Sequence, residues 1–263
     1  MLKRALMVAA MAILVFGIGV GVLGQVDPFS SLPSSVATVE TWVFKVTDGS
    51  SGSVESWSGH EVVNYDGFGR AVETVSYTED EGIDVRYVRS YDETGKLLQV
   101  ESYGPDGGLL SSSCYTYEDG VRVEATYGAS GDLQQTIRYE LDDDGHIVRT
   151  IREGEGTDEG DSSWESTYTP DGEPNGLRMY DDQGDLTFAI DFNYGADGYD
   201  VVSTFTLYVL GTEFMSVETG VEIAARDDHG NWTEMRSYEH KEVSGEMTWV
   251  LNQITRREIT YRE

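Results

Sequence analysis

Glycine recurs at a nearly constant step along most of this chain. Gly69, Gly82, Gly95, Gly107, Gly120, Gly131 and Gly145 are separated by 13, 13, 12, 13, 11 and 14 residues, and Gly172, Gly184 and Gly198 by 12 and 14. Each closes a short polar cluster that starts from Tyr or Leu, as in Tyr65-Asp66-Gly67-Phe68-Gly69, Tyr91-Asp92-Glu93-Thr94-Gly95, Leu141-Asp142-Asp143-Asp144-Gly145 and Tyr180-Asp181-Asp182-Gln183-Gly184. A unit of that length holds one strand of about seven or eight residues and one turn of about four or five. Asp at the head of the turn bonds the backbone ahead of it, and Gly at the tail takes the positive φ that a side chain disfavours.

Between the turns, side-chain character alternates with period two, as in strands with one enclosed and one wet face. Val121, Val123, Ala125 and Tyr127 share one side of their segment, with Arg122, Glu124 and Thr126 on the other. Leu133, Ile137 and Tyr139 repeat the pattern, as do Leu186, Phe188, Ile190, Phe192 and Tyr194. Helical periodicity is nearly absent beyond the N-terminal segment, with only 211–225 ambiguous. The expectation is an all-β fold: an antiparallel meander of roughly 12–15 strands from tandem units of about 12–13 residues. Such a sheet must curl into a barrel, a rolled sheet or a spiral, with the oily sides turned to a common, aromatic-filled interior. The stretch 154–161 has no apolar residue and reads as a long loop.

The tandem Tyr-Asp-x-x-Gly-x-apolar unit, clearest at Tyr65 to Arg70 and Tyr91 to Leu97, resembles the YD repeats of Rhs-like proteins. Asp227-Asp228-His229-Gly230-Asn231-Trp232-Thr233 looks like the D-x-x-G-N-W-T closing unit of secreted bacterial proteins with such repeats. The resemblance covers about four-fifths of the chain and rests on tandem spacing, each single copy being short and degenerate. It implies a β-sheet shell, which in full-size members encloses a cargo domain. No toxin-like C-terminal domain or self-cleavage unit is visible here, so a short structural or binding module of the cell envelope is the implied role.

The domain reading is a signal peptide or signal anchor over 1–25, a flexible linker over 26–37, a YD-like repeat region over 38–225, and closing strands of the same domain over 226–263. Lys3 and Arg4 precede an apolar run from Ala5 to Leu23, a pattern of export by a cleaved signal or an uncleaved anchor. The expected location is therefore secreted or periplasmic. Cys114 is the single cysteine, so no internal disulfide forms and stability rests on packing. With Ser and Tyr beside it and no base nearby, it reads as an inert small residue.

The net charge is −30, yet 226–263 is nearly neutral, with six Lys or Arg against eight Asp or Glu. The acids crowd the preceding region, and such a field repels phosphate backbones and anionic headgroups. Nucleic acid is excluded as a partner, and a membrane is met only through an uncleaved N-terminal anchor. The expected partner is an unidentified protein or glycan of the envelope.

No constellation carries catalysis. The histidines, at 60, 146, 229 and 240, lack zinc-site spacing. No Gly-x-Ser-x-Gly elbow occurs, and carboxylate pairs are uninformative among 48 acids. The sequence assigns no catalytic and no cofactor-binding residue. One weak calcium candidate stands out: Glu140, Asp142 and Asp144 place oxygens at alternate positions ahead of Gly145, although Ile151 occupies the place of the closing bidentate acid. The turn reading competes with it, because Asp and Gly bend every other repeat. The structural positions are the turns at Tyr65, Asp66, Gly69, Tyr91, Asp92, Gly95, Gly107, Gly120, Gly131, Gly145, Gly172, Tyr180, Asp181, Gly184, Gly198 and Gly230, with Trp232 as a plug over the end of the sheet.

Three functions follow as expectations. The first is an exported, non-enzymatic β-repeat protein acting as a structural or binding module. The second is a carbohydrate-active or other hydrolase with an acidic cleft, and the third a hollow β-shell carrying an apolar ligand. The direction of the acids separates the first two, and the size of the interior bears on the third.

Overall fold

The structure is a computed structural model that describes residues 34–49, 52–153, 162–170, 172–195, 200–209 and 212–262. The export segment, most of the linker, the 154–161 stretch and Gly198 lie outside the described residues. Sixteen strands are present among those described: β1 (Val36–Gly49), β2 (Gly52–Tyr65), β3 (Ala71–Tyr77), β4 (Ile83–Tyr91), β5 (Leu97–Tyr103), β6 (Leu109–Glu118), β7 (Val121–Gly128) and β8 (Leu133–Leu141), followed by β9 (Ile147–Glu153), β10 (Ser162–Tyr168), β11 (Pro174–Tyr180), β12 (Leu186–Tyr194), β13 (Val201–Val209), β14 (Thr212–Arg226), β15 (Trp232–Val243) and β16 (Glu246–Tyr261). Each pairs antiparallel with its sequence neighbours, and β16 pairs with β1 to close a barrel. The ambiguous 211–225 segment is the strand β14.

An even number of strands brings the start of β1 and the end of β16 to one rim, here called the terminal rim. Hairpins at 66–70, 92–96, 142–146 and 227–231 stand on it and share one construction. In the first, Asp66 N donates to Arg70 O at 2.9 Å and Gly69 N to Asp66 O at 3.0 Å, with Gly69 at φ 79°. One Asp66 carboxylate oxygen accepts the Phe68 and Arg70 amides at 2.9 and 3.0 Å. Asp92, Asp142 and Asp227 do the same at this rim, and Asp181 at the opposite, far rim. This is a three-residue hairpin whose αL glycine forms the bulge. Gly82 departs from the series, since the left-handed residue of its turn is Glu81, at φ 63°.

The tyrosine of the repeat acts at the terminal rim. Tyr91, Tyr117, Tyr168 and Tyr194 donate to the carbonyls of Ala71, Leu97, Ile147 and Pro174 at 2.7, 3.0, 3.0 and 2.7 Å. Each tyrosine at or next to the end of one strand thus ties down the first residue of the strand before it, on β4, β6, β10 and β12, while β8 ends in Leu141 instead.

Residues paired across strands share a face, so the register carries two faces around the whole ring. In β6, Ser113 and Tyr115 are buried while Cys114 and Thr116 are exposed, which identifies the first set as inward. Following the pairs, Tyr115 faces Glu124 and Tyr139 faces Arg122. The inward side of β7 is therefore Arg122, Glu124 and Thr126, with Val121, Val123, Ala125 and Tyr127 outside. This reverses the expectation that the oily side of every strand turns inward. The buried tyrosines of β6 and β8 fix the register, and a strand between two neighbours cannot turn over alone. On β8 and β12 the expected sets, Ile137 with Tyr139 and Phe188 with Ile190 and Phe192, do face inward.

Candidate functional site

The closed ring of sixteen strands sets the width of the interior. A round section of sixteen strands has a radius of roughly 15 Å, more than inward side chains can span. Among the inward residues, Tyr87, Tyr117, Trp164, Phe188, Phe192 and Phe205 are half-buried, while Tyr115, Tyr139, Thr150, Ile190 and Val201 are buried against the wall. The aromatic interior expected from sequence is a lining, not a plug.

That lining has two unlike walls. Across β11 to β14 it carries Leu177, Met179, Phe188, Ile190, Phe192, Phe205, Leu207 and Val217. Across β3 to β9 it carries Thr74, Arg89, Ser102, Ser113, Tyr115, Arg122, Glu124, Thr126, Tyr139 and Thr150. The polar wall is internally bonded. Ser113 and Thr126 share a hydrogen bond of 2.8 Å, Tyr139 donates to Glu124 at 2.6 Å, and Arg89 donates to Thr74 at 2.7 Å. Burial pushes the Tyr115 and Tyr139 phenols well above their ordinary range, and the Glu124 charge adds to the effect. The Arg122 guanidinium lies 4.1 Å from the Tyr139 ring centre, and its Nε is buried without a hydrogen-bond partner.

Charge is partitioned between the faces. On the inward side of the described strands stand six cations, Lys45, Arg89, Arg122, Arg152, Lys241 and Arg257, against four carboxylates, Glu61, Glu124, Glu239 and Glu246. The chain as a whole is at −30. Acids such as Glu73, Glu101, Glu165 and Asp191 stand at mid-strand on the outer face, and Glu140 near the end of β8, beside Arg86, Arg138, Arg149 and Arg178. Those charges break any continuous apolar belt of the kind that a membrane-spanning barrel presents to lipid. No helix among the described residues is long and apolar enough to cross a membrane.

Glu61 is the inward acid whose protonation the interior alters. Burial raises its pKa, and the Arg89 charge opposes the rise. An acid raised by folding opposes the folded state once ionised, and the penalty vanishes where both states are protonated. Glu61→Gln is therefore expected to stabilise the protein at pH 8, with the gain disappearing below about pH 4, beneath the ordinary glutamate range. Urea unfolding of both proteins across that span checks it, and an equal gain at both ends would refute the assignment.

The two rims also differ. The exposed Val54, Ile83, Leu109, Leu110, Leu133, Val209, Phe214, Met215, Val243 and Met247 cluster at the far rim, against Phe68 and Leu98 at the terminal rim. The hairpins of β1 with β2, β13 with β14 and β15 with β16 are neighbours around the ring, and β1, β2, β14, β15 and β16 are its longest strands.

The remaining sequence candidates have defined places. Asp142, Asp144 and His146 come together, with ligand atoms within 4.8 Å of one another. Glu140 does not join them and stands on the outer face, 3.9 Å from Arg138. Asp142 already accepts two backbone amides and the His146 ring at 3.0 Å; desolvation is the largest single influence on its carboxyl and pushes it up, but these bonds and the His146 charge together hold it below the usual range. Each histidine stacks on an aromatic ring: His60 between Trp42 and Tyr77, His146 on Tyr168, His229 on Tyr261 and His240 on Trp249. Cys114 is exposed on the outer face, not tucked away as a small apolar residue.

Trp232 is 6% exposed, with the Arg257 guanidinium 3.6 Å from its ring centre and Arg257 Nε donating to its carbonyl at 2.6 Å. Tyr261 donates to Asp227 and accepts from Asn231 at 2.7 Å, fastening β16 to the last hairpin. Arg262 reaches the carbonyls of Val36 and Tyr65, and its amide donates to Ser35 O at 2.7 Å. Beside this seam lies an open outer groove of about 630 Å³, lined by Trp42, Phe44, Arg256, Glu258 and Tyr261. Its polar groups are already engaged in part, Arg256 by Glu55 at 2.8 Å and Glu234 at 3.1 Å.

The inward arginines are the feature that sequence reading missed. On β7 the apolar parity pointed the wrong way, and only the register of the flanking strands reveals that Arg122 is enclosed.

No family model matches the chain, and no curated protein matches it. Among solved structures, a porin-like protein from Bacteroides uniformis is similar at 11% identity, covering 88% of this chain and 100% of that one, with a TM-score of 0.42. A LolA superfamily protein from Nitrosomonas europaea is similar at 9% identity over 92% and 93% of the two chains, with a TM-score of 0.25. A TcdB2–TccC3 structure is similar at 10% identity over 75% of this chain and 16% of that one, with a TM-score of 0.14.

Proposed function

We propose that this chain is an exported, non-enzymatic β-repeat protein of the cell envelope or extracellular space, and that it binds an apolar ligand inside its barrel. One observation carries the reading: on the inner wall of a sixteen-strand closed barrel, Leu177, Met179, Phe188, Phe192, Phe205, Leu207 and Val217 of β11 to β14 are only half-buried, leaving apolar surface for a guest to cover. Burying that surface is worth about 25 cal/mol per Å² of apolar area. The apolar far rim supports the reading by giving such a guest a route inward. The outward direction of most strand carboxylates favours binding over hydrolysis, since Glu61 and Glu124 stand on β2 and β7, with four strands between them. Membership among YD-repeat proteins belongs to the same proposal. It is supported by the roles of the repeated Asp in the turns and of the repeated Tyr in the latches.

Titration with the neutral probe N-phenyl-1-naphthylamine tests the function. Expected is a saturable rise in probe fluorescence, reversed by dodecanol, with tryptophan-to-probe energy transfer that falls in Trp164→Phe, the variant that removes the inward tryptophan of β10. A response that is linear in probe, or insensitive to dodecanol, would mean that the interior holds no ligand.

A further inference from the structure

We infer that the outer groove beside the seam docks a basic protein segment, one arginine of which lies between Glu40, Glu258 and the Trp42 indole. The site is outside the barrel and independent of the guest proposed above. The groove and its edge hold two sets of groups built alike, each with one aromatic ring of β1 and two carboxylates. The first set is filled from within the chain. Arg256 lays its guanidinium 5.2 Å from the Phe44 ring centre and reaches Glu55 at 2.8 Å and Glu234 at 3.1 Å.

The second set has no arginine or lysine of its own. Trp42 lies two residues before Phe44 on the same face, and Glu40 two residues earlier, directly across from Glu258 of β16. Side chains so opposed have Cβ atoms about 5 Å apart, and like charges there repel. Glu40 meets His60 at 2.7 Å, and the His60 ring stacks on the β2 side of the indole at 5.3 Å. Glu258 is exposed and forms no ion pair among the described residues. The groove opens on the other side of Trp42, toward Glu258. A guanidinium placed there meets both acids with its planar donors and the indole with its flat face. Arg256 does not oppose it, since two carboxylates already offset that charge. The field of a chain at −30 draws in a partner of the same sign, and a groove of about 630 Å³ has room for more than one of its residues.

Fluorescence anisotropy of a labelled Gly-Arg-Gly-Arg-Gly peptide, titrated with the full chain at low ionic strength, tests the site. The control peptide carries citrulline in place of arginine, which keeps the shape and removes the charge. Saturable binding is expected for the arginine peptide, at least tenfold tighter than for the citrulline one. Glu258→Gln is expected to weaken it about fivefold, and Glu40→Gln is the second variant should the first fail to fold. Glu93→Gln removes the same charge from an exposed position on the 92–96 hairpin and is expected to change affinity less than twofold. Equal losses in Glu258→Gln and Glu93→Gln would reduce the attraction to the general field and overturn the site. Equal binding of the citrulline peptide, or binding of maltohexaose in place of either peptide, would overturn the basic partner. So would the absence of binding by all three probes, with the barrel guest left untouched.

Discussion

Trp232→Ala is expected to lower unfolding free energy by about 3–5 kcal/mol, the range for truncating a buried aromatic side chain. Trp232 is 6% exposed at the start of β15, so truncation leaves a cavity that the surrounding strands cannot collapse into. It also removes the ring that the Arg257 guanidinium covers at 3.6 Å. Trp232→Phe separates packing from hydrogen bonding. The indole Nε1 is buried with no hydrogen-bond partner, so its removal sacrifices no bond. The phenyl variant is therefore expected to lose about half as much or less, through volume and the weaker cation–π contact alone. Urea unfolding at fixed slope checks both. A loss below about 1 kcal/mol for Trp232→Ala would show that this tryptophan does not hold the seam.

Arg262→Ala is the second large effect, with an expected loss of about 2–3 kcal/mol from charge-assisted hydrogen bonds. The Arg262 side chain joins the beginning of β1, at Val36, to the end of β2, at Tyr65, and its backbone amide bonds Ser35. Val36 is fully enclosed, so its carbonyl has poor access to water as a substitute partner. Lys at this position keeps the charge but loses the planar fork that reaches two carbonyls at once, and Arg262→Lys is expected to recover less than half of the loss. Amide hydrogen exchange gives the matching local readout. Protection is expected to fall first along the pairing of β1 with β16, while β6 to β8 keep theirs. Uniform loss around the ring would show that closure is not a local property of this strap.

Both predictions fall on the nearly neutral C-terminal segment, and the charge pattern has a physical reason there. Closing a barrel requires one strand to meet the first across a long sequence separation, and repulsion between two acidic strands opposes it. Arg256 instead bridges Glu55 of β2 and Glu234 of β15 from its place on β16, and Arg257 and Arg262 bind backbone. Arginine, always charged and rich in planar donors, suits that work better than lysine.

The turns were legible in the sequence because each is a local device. Asp66 and Gly69 lie within five residues, and the hydrogen bonds and the left-handed φ that they supply need no distant partner. The same holds at Asp92, Asp142, Asp181 and Asp227, and their spacing fixed the antiparallel meander. Alternation then gave each strand two faces. On β12 it also gave the inner face, because Phe188, Ile190 and Phe192 admit one reading.

What sequence left open was decided by pairing. Period two says that Arg122, Glu124 and Thr126 lie together, and not which way they face. That direction came from Tyr115 and Tyr139, 7 residues before and 17 after Arg122, whose burial fixes β6 and β8 and hence the strand between them. Closure was likewise beyond local reading, since the contact of Val39 with Ile259 spans 220 residues and depends on the summed twist and stagger of every strand between. The sequence by itself determined the bends, the strands and the acid coat, all set by neighbours along the chain. Only the tertiary structure decided that the ring closes at sixteen strands, that it is too wide to fill, and that arginines line its inside. Those depend on how many strands share one circumference, a quantity that no single repeat encodes.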